Sequence, residues 1–272
     1  MRIGSREFEF GKKTYVMGIL NVTPDSFSDG GKYNDREKAL EQVRKLIAEG
    51  ADIIDIGGES TRPGHEQITE EEEIRRVVPV IREIKAAFDI PVSVDTYKSR
   101  VAEAALEAGA DLLNDIWGFL YDERMAQLAV KYDVPVCLMH NRNNTEYTDF
   151  VKDVVTDLEK CLAVAAKYGV KKEKIILDPG IGFGKTYEQN LMMMNHLEDI
   201  CDMGYPVLLG TSRKSMIGIT LDLPVEEREE GTIATTVIGA MKGCNFVRVH
   251  DVKANVRALQ MIEAIYNSAL TR

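Results

Sequence analysis

Eight short apolar runs recur along this chain of 272 residues, and none of them alternates polar with apolar residues. They are rich in Val, Ile and Leu, a composition typical of strands that are buried on both faces, as in parallel sheets. The runs are Tyr15–Leu20, Ile53–Ile56, Pro91–Val94, Leu112–Leu113, Val134–Met139, Ile175–Leu177, Val207–Leu209 and Phe246–Val249. The pattern predicts a sheet of parallel strands.

Amphipathic helical patterns separate these runs. The clearest is Glu70–Phe88, which begins with an acidic first turn that suits the helix dipole and follows Thr69, whose spacing from Glu72 fits a capping box. The other predicted helices are Arg36–Glu49, Lys98–Ala108, Asp122–Tyr132, Lys152–Tyr168, Tyr187–Met203, Glu226–Lys242 and Val252–Leu270.

Eight strand–helix units in strict alternation predict an α/β fold, a single closed (β/α)8 or TIM barrel. No linker rich in Pro or Ser divides the units, so residues 1–272 are expected to form one domain. An open doubly wound sheet is the alternative, but the GxGxxG motif that often follows its first strand is absent here.

Charge and composition narrow the possible partners. A net charge of −10 argues against a surface devoted to nucleic acid or anionic lipid, although it permits a small basic pocket. No apolar run is long enough to span a bilayer, and the charged segment from Met1 to Lys13 lacks a signal-peptide core. The four cysteines form no CxxC pair, which favours reduced thiols in a cytoplasmic protein.

Polar residues follow nearly every predicted strand, at the barrel end where active sites of this fold are built. A single residue of this kind is explained equally well as a helix cap or loop residue. Caps do not require the Arg, His and Lys of the last two units, so the whole set favours a ligand site. The set is Asn21, Asp55, Asp95, Asn114, Asp115, His140, Asp178, Ser212, Arg213, Lys214, Arg248, His250 and Asp251.

The charges of this set are divided along the chain. Carboxylates and amides dominate its middle, whereas Lys214, Arg248 and His250 lie near its end, and the last strand of a closed barrel adjoins the first. This division predicts a ligand with two different ends. One end is a neutral heterocycle whose donors form paired hydrogen bonds with a carboxylate, and the other is an anion such as phosphate. An Asn beside phosphate, here Asn21, can also contribute an oxygen to Mg²⁺.

Seven segments, in order, resemble the motifs of the dihydropteroate synthases, a family of pterin-binding enzymes. Together they extend over almost the whole chain, and their order makes the resemblance more specific than any one motif would. The segments are Met17–Gly31, Gly50–Gly64, Val92–Thr96, Leu113–Asp115, Asp178–Lys185, Ser212–Ser215 and Arg248–Val252.

The resemblance implies a (β/α)8 transferase of folate biosynthesis. Such an enzyme condenses 6-hydroxymethyl-7,8-dihydropterin pyrophosphate with p-aminobenzoate, and it releases 7,8-dihydropteroate and pyrophosphate. The residues that match the family's pterin site are Asp95, Asn114, Met139, Asp178, Phe183 and Lys214.

The resemblance also implies a pyrophosphate site and a metal. Asn21, Thr61, Arg248 and His250 match the residues that hold pyrophosphate in the family. Mg²⁺ is the implied cofactor, bound near Asn21, and Asp29 in the first loop is a candidate second ligand.

The p-aminobenzoate site implied by the resemblance lies nearer the rim. It would be bordered by Lys214 and Ser215 and closed by the loops that carry Phe27 and the pair Arg62 and Pro63. Glycines in both loops can supply hinges, so the loops are interpreted as lids that become ordered when pyrophosphate binds; the alternative is that these glycines serve only turns.

For the chemistry we expect four catalytic residues. Arg248 and His250, with Mg²⁺, would stabilise the charge that develops on the leaving pyrophosphate, and Lys214 completes the set. Asp95 would stabilise an electron-poor pterin methylene, which the aromatic amine attacks in an SN1-like path. The family is commonly homodimeric, so a homodimer is expected.

Three competing functions remain open from the sequence. A methyltetrahydrofolate:corrinoid methyltransferase would share the Asp and Asn grip on a pterin but would not need Ser212–Ser215. A non-catalytic pterin-binding protein would be expected to lose the phosphate residues, all of which are present. A sugar-phosphate barrel rests on analogy of fold alone.

Two further expectations concern the surroundings of the site. The loop Asn141–Thr145 departs from the short Met- and Gly-rich loop usual in the family, which leaves its conformation open. Lys98 and Arg100, which follow Asp95, are expected on the surface of a helix.

Overall fold

The computed structural model describes residues 1–22, 31–59 and 67–269, and within them the predicted (β/α)8 barrel is confirmed. A short antiparallel hairpin, β1 (Arg2–Ile3) and β2 (Arg6–Glu7), precedes the barrel and was not predicted. The eight barrel strands are β3 (Tyr15–Asn21), β4 (Ile53–Gly57), β5 (Val92–Asp95), β6 (Leu112–Asp115), β7 (Val136–Met139), β8 (Ile175–Asp178), β9 (Leu208–Leu209) and β10 (Phe246–Val249).

All neighbouring barrel strands are parallel, and β10 pairs with β3 as expected for a closed barrel. Phe246 lies opposite Tyr15 in that pair. The last gap, between β8 and β9, is bridged by a parallel contact of Leu177 with Val207. The closed sheet therefore brings the end of β10 next to the end of β3, with β4 one strand further on.

Helices cover the outside of the barrel in the alternation that the sequence predicts. Their apolar faces pack on outward-pointing strand residues such as Val16, Ile54 and Val247 to form the main hydrophobic core. The helices are α1 (Gly31–Ala48), α2 (Glu70–Ala87), α3 (Ser99–Glu107), α4 (Arg124–Lys131), α5 (Phe150–Tyr168), α6 (Tyr187–Asn195), α7 (Leu197–Cys201), α8 (Ser215–Leu221), α9 (Glu229–Met241) and α10 (Val252–Ala269).

Two helix predictions differ from the structure. The single helix predicted over Tyr187–Met203 is wrong, because the backbone of His196 leaves the helical region and separates α6 from α7. This break lets Leu197 and Ile200 both bury completely. The short helix α8 was not predicted, since it has seven residues and no capping side chain.

Inside the barrel the two ends differ in polarity. At the amino ends of the strands the interior is apolar and is closed by Ile3 and Phe8 of the N-terminal segment. Two residues further along a strand, on the same face, the interior becomes polar: Ile53 is followed by Asp55, Leu112 by Asn114, Ile176 by Asp178 and Phe246 by Arg248. The alternation of the strands thus points four polar groups into one end of the barrel.

Across all three described ranges, we find no helix with the length and apolar character that a membrane span requires.

Lys98 is buried rather than exposed on a helix surface, so that expectation is wrong. Its ammonium group donates to Glu59 Oε2 at 2.5 Å, to Glu73 Oε2 at 2.8 Å and to the Ile68 carbonyl at 2.9 Å. Burial opposes the charged lysine, but hydrogen bonds to the two glutamates leave its pKa above the ordinary value. Arg100, by contrast, is exposed and pairs with Glu71.

We predict that Lys98→Met lowers the free energy of unfolding by about 3–5 kcal/mol, because it leaves two buried carboxylates without their cation. Urea unfolding at neutral pH measures this change. The matched control is Lys253→Met, which removes an exposed lysine from α10 and should change stability by less than about 0.5 kcal/mol. Equal effects of the two substitutions would contradict the assigned role of Lys98.

Candidate active site

Arg248 lies between two carboxylates at the polar end of the barrel. Its Nε donates to Asp55 Oδ2 at 2.6 Å, and one terminal nitrogen donates to Asp95 Oδ2 at 2.7 Å. Burial disfavours the charged guanidinium, yet Asp55 and Asp95 raise the pKa of Arg248 above its ordinary value. The cation is therefore permanent and fixed in direction by strands β4 and β5.

Asp95 has one oxygen committed to Arg248 and one without a hydrogen-bond partner in the described residues. That second oxygen, Oδ1, is buried. Burial raises the pKa of Asp95 to about 7, against the opposing effect of Arg248. A buried acceptor without a donor is costly unless a ligand supplies one, so this oxygen indicates a ligand with a hydrogen-bond donor.

Asn21 and Asp95 lie on either side of Gly57, at the ends of β3 and β5. A Cβ placed on Gly57 would lie 3.7 Å from both Asn21 Oδ1 and Asp95 Oδ2. Asn21 is exposed, whereas Asp95 is buried, so the amide occupies the rim and the carboxylate lies deeper.

Asp178 and Lys214 lie near each other beside Gly210, and their charges interact. Asp178 Oδ1 accepts from the Gly180 amide at 2.7 Å, and a Cβ on Gly210 would lie 3.8 Å from Asp178 Oδ2 and 3.9 Å from Lys214 Nζ. Burial raises the pKa of Asp178, and Lys214 opposes that rise. Burial also lowers the pKa of Lys214 to about 8, with Asp178 acting in the opposite direction.

Apolar groups complete the walls. Lys214 Nζ donates to the Ile181 carbonyl and lies 4.7 Å from the centre of the Phe183 ring. Phe183 packs against a small cluster that contains Met139 and Ile116. Asn114, between these walls and Arg248, places its amide nitrogen 3.4 Å from Asp55 Oδ2.

His250 follows β10 and contacts the loop after β9. The Ser212 hydroxyl accepts from the His250 backbone amide at 3.1 Å and lies 2.9 Å from His250 Nδ1. If the hydroxyl donates to Nδ1, the neutral ring carries its proton on Nε2. Ser215 is exposed at the start of α8, next to Lys214.

Four polar residues of the predicted ring do not join the pocket: Asp115, Arg213, Asp251 and His140, whose ring contacts Asp157 and Lys185 behind Phe183. Asp115 points to the other face of β6, as alternation requires, and caps the next turn by accepting from the Trp117 and Phe119 amides. Its inclusion among the ligand acceptors was wrong. Arg213 and Asp251 pair with each other, with a shortest distance of 2.6 Å.

Five predicted site residues lie outside the described part of the chain: Phe27, Asp29, Thr61, Arg62 and Pro63. Their predicted roles therefore stay predictions. Within the described residues, no group of three or more His, Cys, Asp or Glu side chains has the arrangement of a metal site.

Two features of the site were not assigned from the sequence. Asp55 was recognised as a strand end but given no role, although its position two residues after the buried Ile53 indicates that it points inward. The second is a buried chain of Asp157, His140 and Lys185 behind Phe183, which joins residues far apart in sequence. The glycine-rich segment before Lys185 is the only signal in the sequence that points to this buried chain.

Comparison with known families identifies one match. The model of a family described as "Pterin binding enzyme" matches residues 17–250 of this chain. The match includes every described pocket residue from Asn21 to His250.

Individual relatives are similar over nearly their whole length. The dihydropteroate synthase of Clostridium beijerinckii is 66% identical over 266 residues, which cover 97% of this chain and 99% of the relative. A crystal structure of dihydropteroate synthase from Clostridium difficile, in the presence of pteroic acid, has a TM-score of 0.93 at 52% identity, covering 96% of this chain and 99% of that one. The Xanthomonas albilineans dihydropteroate synthase with 4-aminobenzoic acid has a TM-score of 0.89 at 42% identity and covers 93% of both chains.

We predict that Arg248→Met raises the pKa of Asp95 above about 7, because burial then acts without the opposing guanidinium. An NMR titration of carboxyl-labelled aspartate measures this shift. A carboxylate with a raised folded-state pKa stabilises the fold below its unfolded pKa and loses that contribution as pH rises through the folded value. The free energy of unfolding of the variant should therefore continue to fall above pH 7 more steeply than that of the wild type.

The control for this substitution is Arg257→Met, which removes an exposed arginine of α10. It should leave the Asp95 titration unchanged. A lower Asp95 pKa in Arg248→Met would contradict the assigned electrostatics.

Proposed function

This chain belongs to the dihydropteroate synthases of the pterin-binding enzyme family, transferases of folate biosynthesis, and we propose how its pocket carries out their reaction. The substrates are 6-hydroxymethyl-7,8-dihydropterin pyrophosphate and p-aminobenzoate. The observation that carries the proposal is one barrel end that holds a buried acceptor pair, Asp178 and Asp95, beside a permanently charged Arg248. This arrangement suits a ligand with a donor-rich heterocycle and an anionic group.

The pterin ring occupies the deep part of the pocket. Asp178 accepts from the amino-pyrimidine edge, since its Oδ2 faces the pocket near Lys214 while its Oδ1 is held by Gly180. Asn114 and Lys214 complete the hydrogen bonds, and the unpartnered Oδ1 of Asp95 receives a donor. Met139 and Phe183 supply apolar contacts to the ring faces.

The pyrophosphate lies toward the rim, between β10 and β3. Arg248 lies on β10, His250 directly follows it, and Asn21 is the last residue of β3. Thr61, which lies outside the described residues, is the fourth proposed pyrophosphate residue. A fixed cation that is already oriented needs little rearrangement when the leaving group gains charge, which favours the transition state over the ground state.

Mg²⁺ is the proposed cofactor. Bound Mg²⁺ neutralises charge on the departing pyrophosphate. Its protein ligands would be Asn21, whose amide oxygen lies at the rim near Asp95, and Asp29. The small number of protein ligands fits Mg²⁺, which usually retains waters and substrate oxygens.

p-Aminobenzoate occupies the outer part of the pocket. Lys214 and the exposed Ser215 border it. Phe27, Arg62 and Pro63, which lie outside the described residues, are the proposed cover. The amine of p-aminobenzoate is itself the nucleophile in this proposal, so the protein need supply none. Its contribution is to bring the two substrates together and to exclude competing water.

The bond between the methylene carbon and the pyrophosphate oxygen breaks first in the proposed SN1-like path. Both electrons leave with the pyrophosphate, and positive charge spreads from the methylene into the pterin ring. Asp95 stabilises that charge when it is ionised, and its pKa of about 7 lets it change protonation state near neutrality. The amine then attacks the carbon and loses a proton.

The competing functions fit less well. A corrinoid methyltransferase would not need a rim cation such as Arg248, and a non-catalytic binding protein would not need it held between two carboxylates. Homology over 99% of a dihydropteroate synthase of another organism supports the transferase.

A homodimer in the cytoplasm is the proposed state of the enzyme. Exposed apolar side chains on three successive helices of the described chain support the dimer, because a large exposed apolar surface usually marks an interface. They are Ile219, Leu221, Ile238, Met241, Met261 and Ile265.

The proposed reaction predicts that the protein releases pyrophosphate faster when p-aminobenzoate is present than when it is absent, and faster with Mg²⁺ than with a chelator. A coupled pyrophosphate assay with and without p-aminobenzoate measures this. Absence of amine-dependent release in well-folded protein would refute the proposed reaction.

Asp95→Asn should lower kcat by about 10- to 1,000-fold, because the amide keeps the shape of the side chain but cannot neutralise the cationic methylene. Its KM for the pterin pyrophosphate should change less than kcat. Steady-state kinetics at pH 8 provide the test, with Asp122→Asn, a turn residue outside the pocket, as control. An unchanged kcat would remove Asp95 from the mechanism.

A further inference from the structure

The loop that follows β8, residues 179–185, is pressed against the backbone that follows β7. Gly180 and Gly184 both have positive φ, at 68° and 54°. A Cβ on Gly180 would lie 1.9 Å from the His140 carbonyl oxygen, and one on Gly184 would lie 2.7 Å from the Arg142 carbonyl oxygen. The contact between these two loops is therefore too close for any side chain at either glycine.

Lys185 is the last residue of this loop, and its ammonium group lies beneath the loop. The side chain is buried, and Nζ lies 2.7 Å from His140 Nδ1, 3.0 Å from the Gly180 carbonyl and 3.2 Å from the Phe183 carbonyl. Burial lowers the pKa of Lys185 to about 7. In its charged form the group has three protons, and here each has an acceptor. Lys185 thus holds together the two carbonyls that flank the Ile181–Gly182 pair.

His140 and Asp157 support Lys185 from behind. His140 Nε2 lies 3.2 Å from Asp157 Oδ2, and Arg142 Nε donates to the same oxygen at 2.5 Å. Burial lowers the pKa of His140 to about 3, so the ring is neutral. It accepts from Lys185 at Nδ1 and donates to Asp157 from Nε2, which fixes its tautomer.

The loop presents two groups to the pocket. The Ile181 carbonyl accepts from Lys214, and the Phe183 ring lies 4.7 Å from Lys214 Nζ. Lys185 holds the Gly180 and Phe183 carbonyls on either side of the Ile181–Gly182 pair. It acts on the pocket through this loop and, more weakly, through its charge, which lowers the pKa of Asp178.

We propose that Lys185 is a positioning residue for pterin binding, which fixes Phe183 and the Ile181 carbonyl, and through them Lys214, with the help of His140 and Asp157. This inference rests on the proposed function, since it assigns the pocket to a pterin. The loop has other anchors, namely Asn190 at the Gly182 amide and Tyr147 at the Gly184 carbonyl, so removal of Lys185 should displace the loop without unfolding it.

The test is direct binding of the pterin pyrophosphate, without p-aminobenzoate, to Lys185→Met by isothermal titration calorimetry. The expected result is a Kd about tenfold or more above that of the wild type, because a buried donor that contacts three acceptors is lost. The matched control is Lys171→Met, an exposed lysine that precedes β8, whose Kd should equal that of the wild type.

Thermal unfolding and circular dichroism of the same proteins separate positioning from folding. A lower unfolding temperature with an unchanged Kd in the folded protein would overturn the proposal, because it would show a structural role only. If wild-type protein itself bound no pterin pyrophosphate, the proposed function would fail and not this inference alone.

Asp157→Asn provides a second variant in case Lys185→Met does not fold. Asp157 is buried on α5 and contacts His140 and Arg142, which lie between it and the loop. We expect a Kd two- to fivefold above that of the wild type, an order-of-magnitude expectation for a weakened charged hydrogen bond. A Kd equal to that of the wild type in a fully folded Asp157→Asn protein would show that His140 and Asp157 do not take part.

Discussion

The two-residue period of the barrel strands decides which side chains stand in the pocket. Because β4, β6, β8 and β10 all change from apolar to polar at the same inward step, four polar groups meet at one depth. Because these groups are buried, the charged state of each one depends on a neighbouring charge. Arg248 stays charged between Asp55 and Asp95, and Asp178 and Lys214 each offset the cost of burying the other.

These paired charges also explain why the pocket needs a rigid frame. An ion pair in a dry interior is favourable only with good geometry, so the groups that carry the pairs must not drift. The strands fix Asp55, Asp95 and Arg248 directly. Lys214 comes from a loop, and its position depends on another loop, which Lys185 and the segment after β7 support.

Much of the fold and pocket could be predicted from sequence, since both follow from local patterns. Non-alternating apolar runs predicted the barrel, and strand-end residues predicted Asp95, Asn114, Asp178 and Arg248 as pocket groups. Side-chain direction was the weak point: Asp115 was placed in the pocket, although a neighbour of Asn114 must face the other way. Contacts between distant segments, such as Lys98 with Glu59 and Glu73, leave no local signal and were missed.

The N-terminal segment, which includes the hairpin, closes the amino end of the barrel. Ile3 and Phe8 seal the amino end of the barrel, so molecules can reach the interior only from the opposite rim. Because the proposed pterin site lies deeper than the proposed p-aminobenzoate site, depth determines the order in which the substrates bind and the product leaves. The pterin must enter before p-aminobenzoate can sit above it, and the pterin half of the product is the last part to clear the barrel. An ordered kinetic scheme is thus expected from a segment that lies at the end of the barrel opposite the pocket.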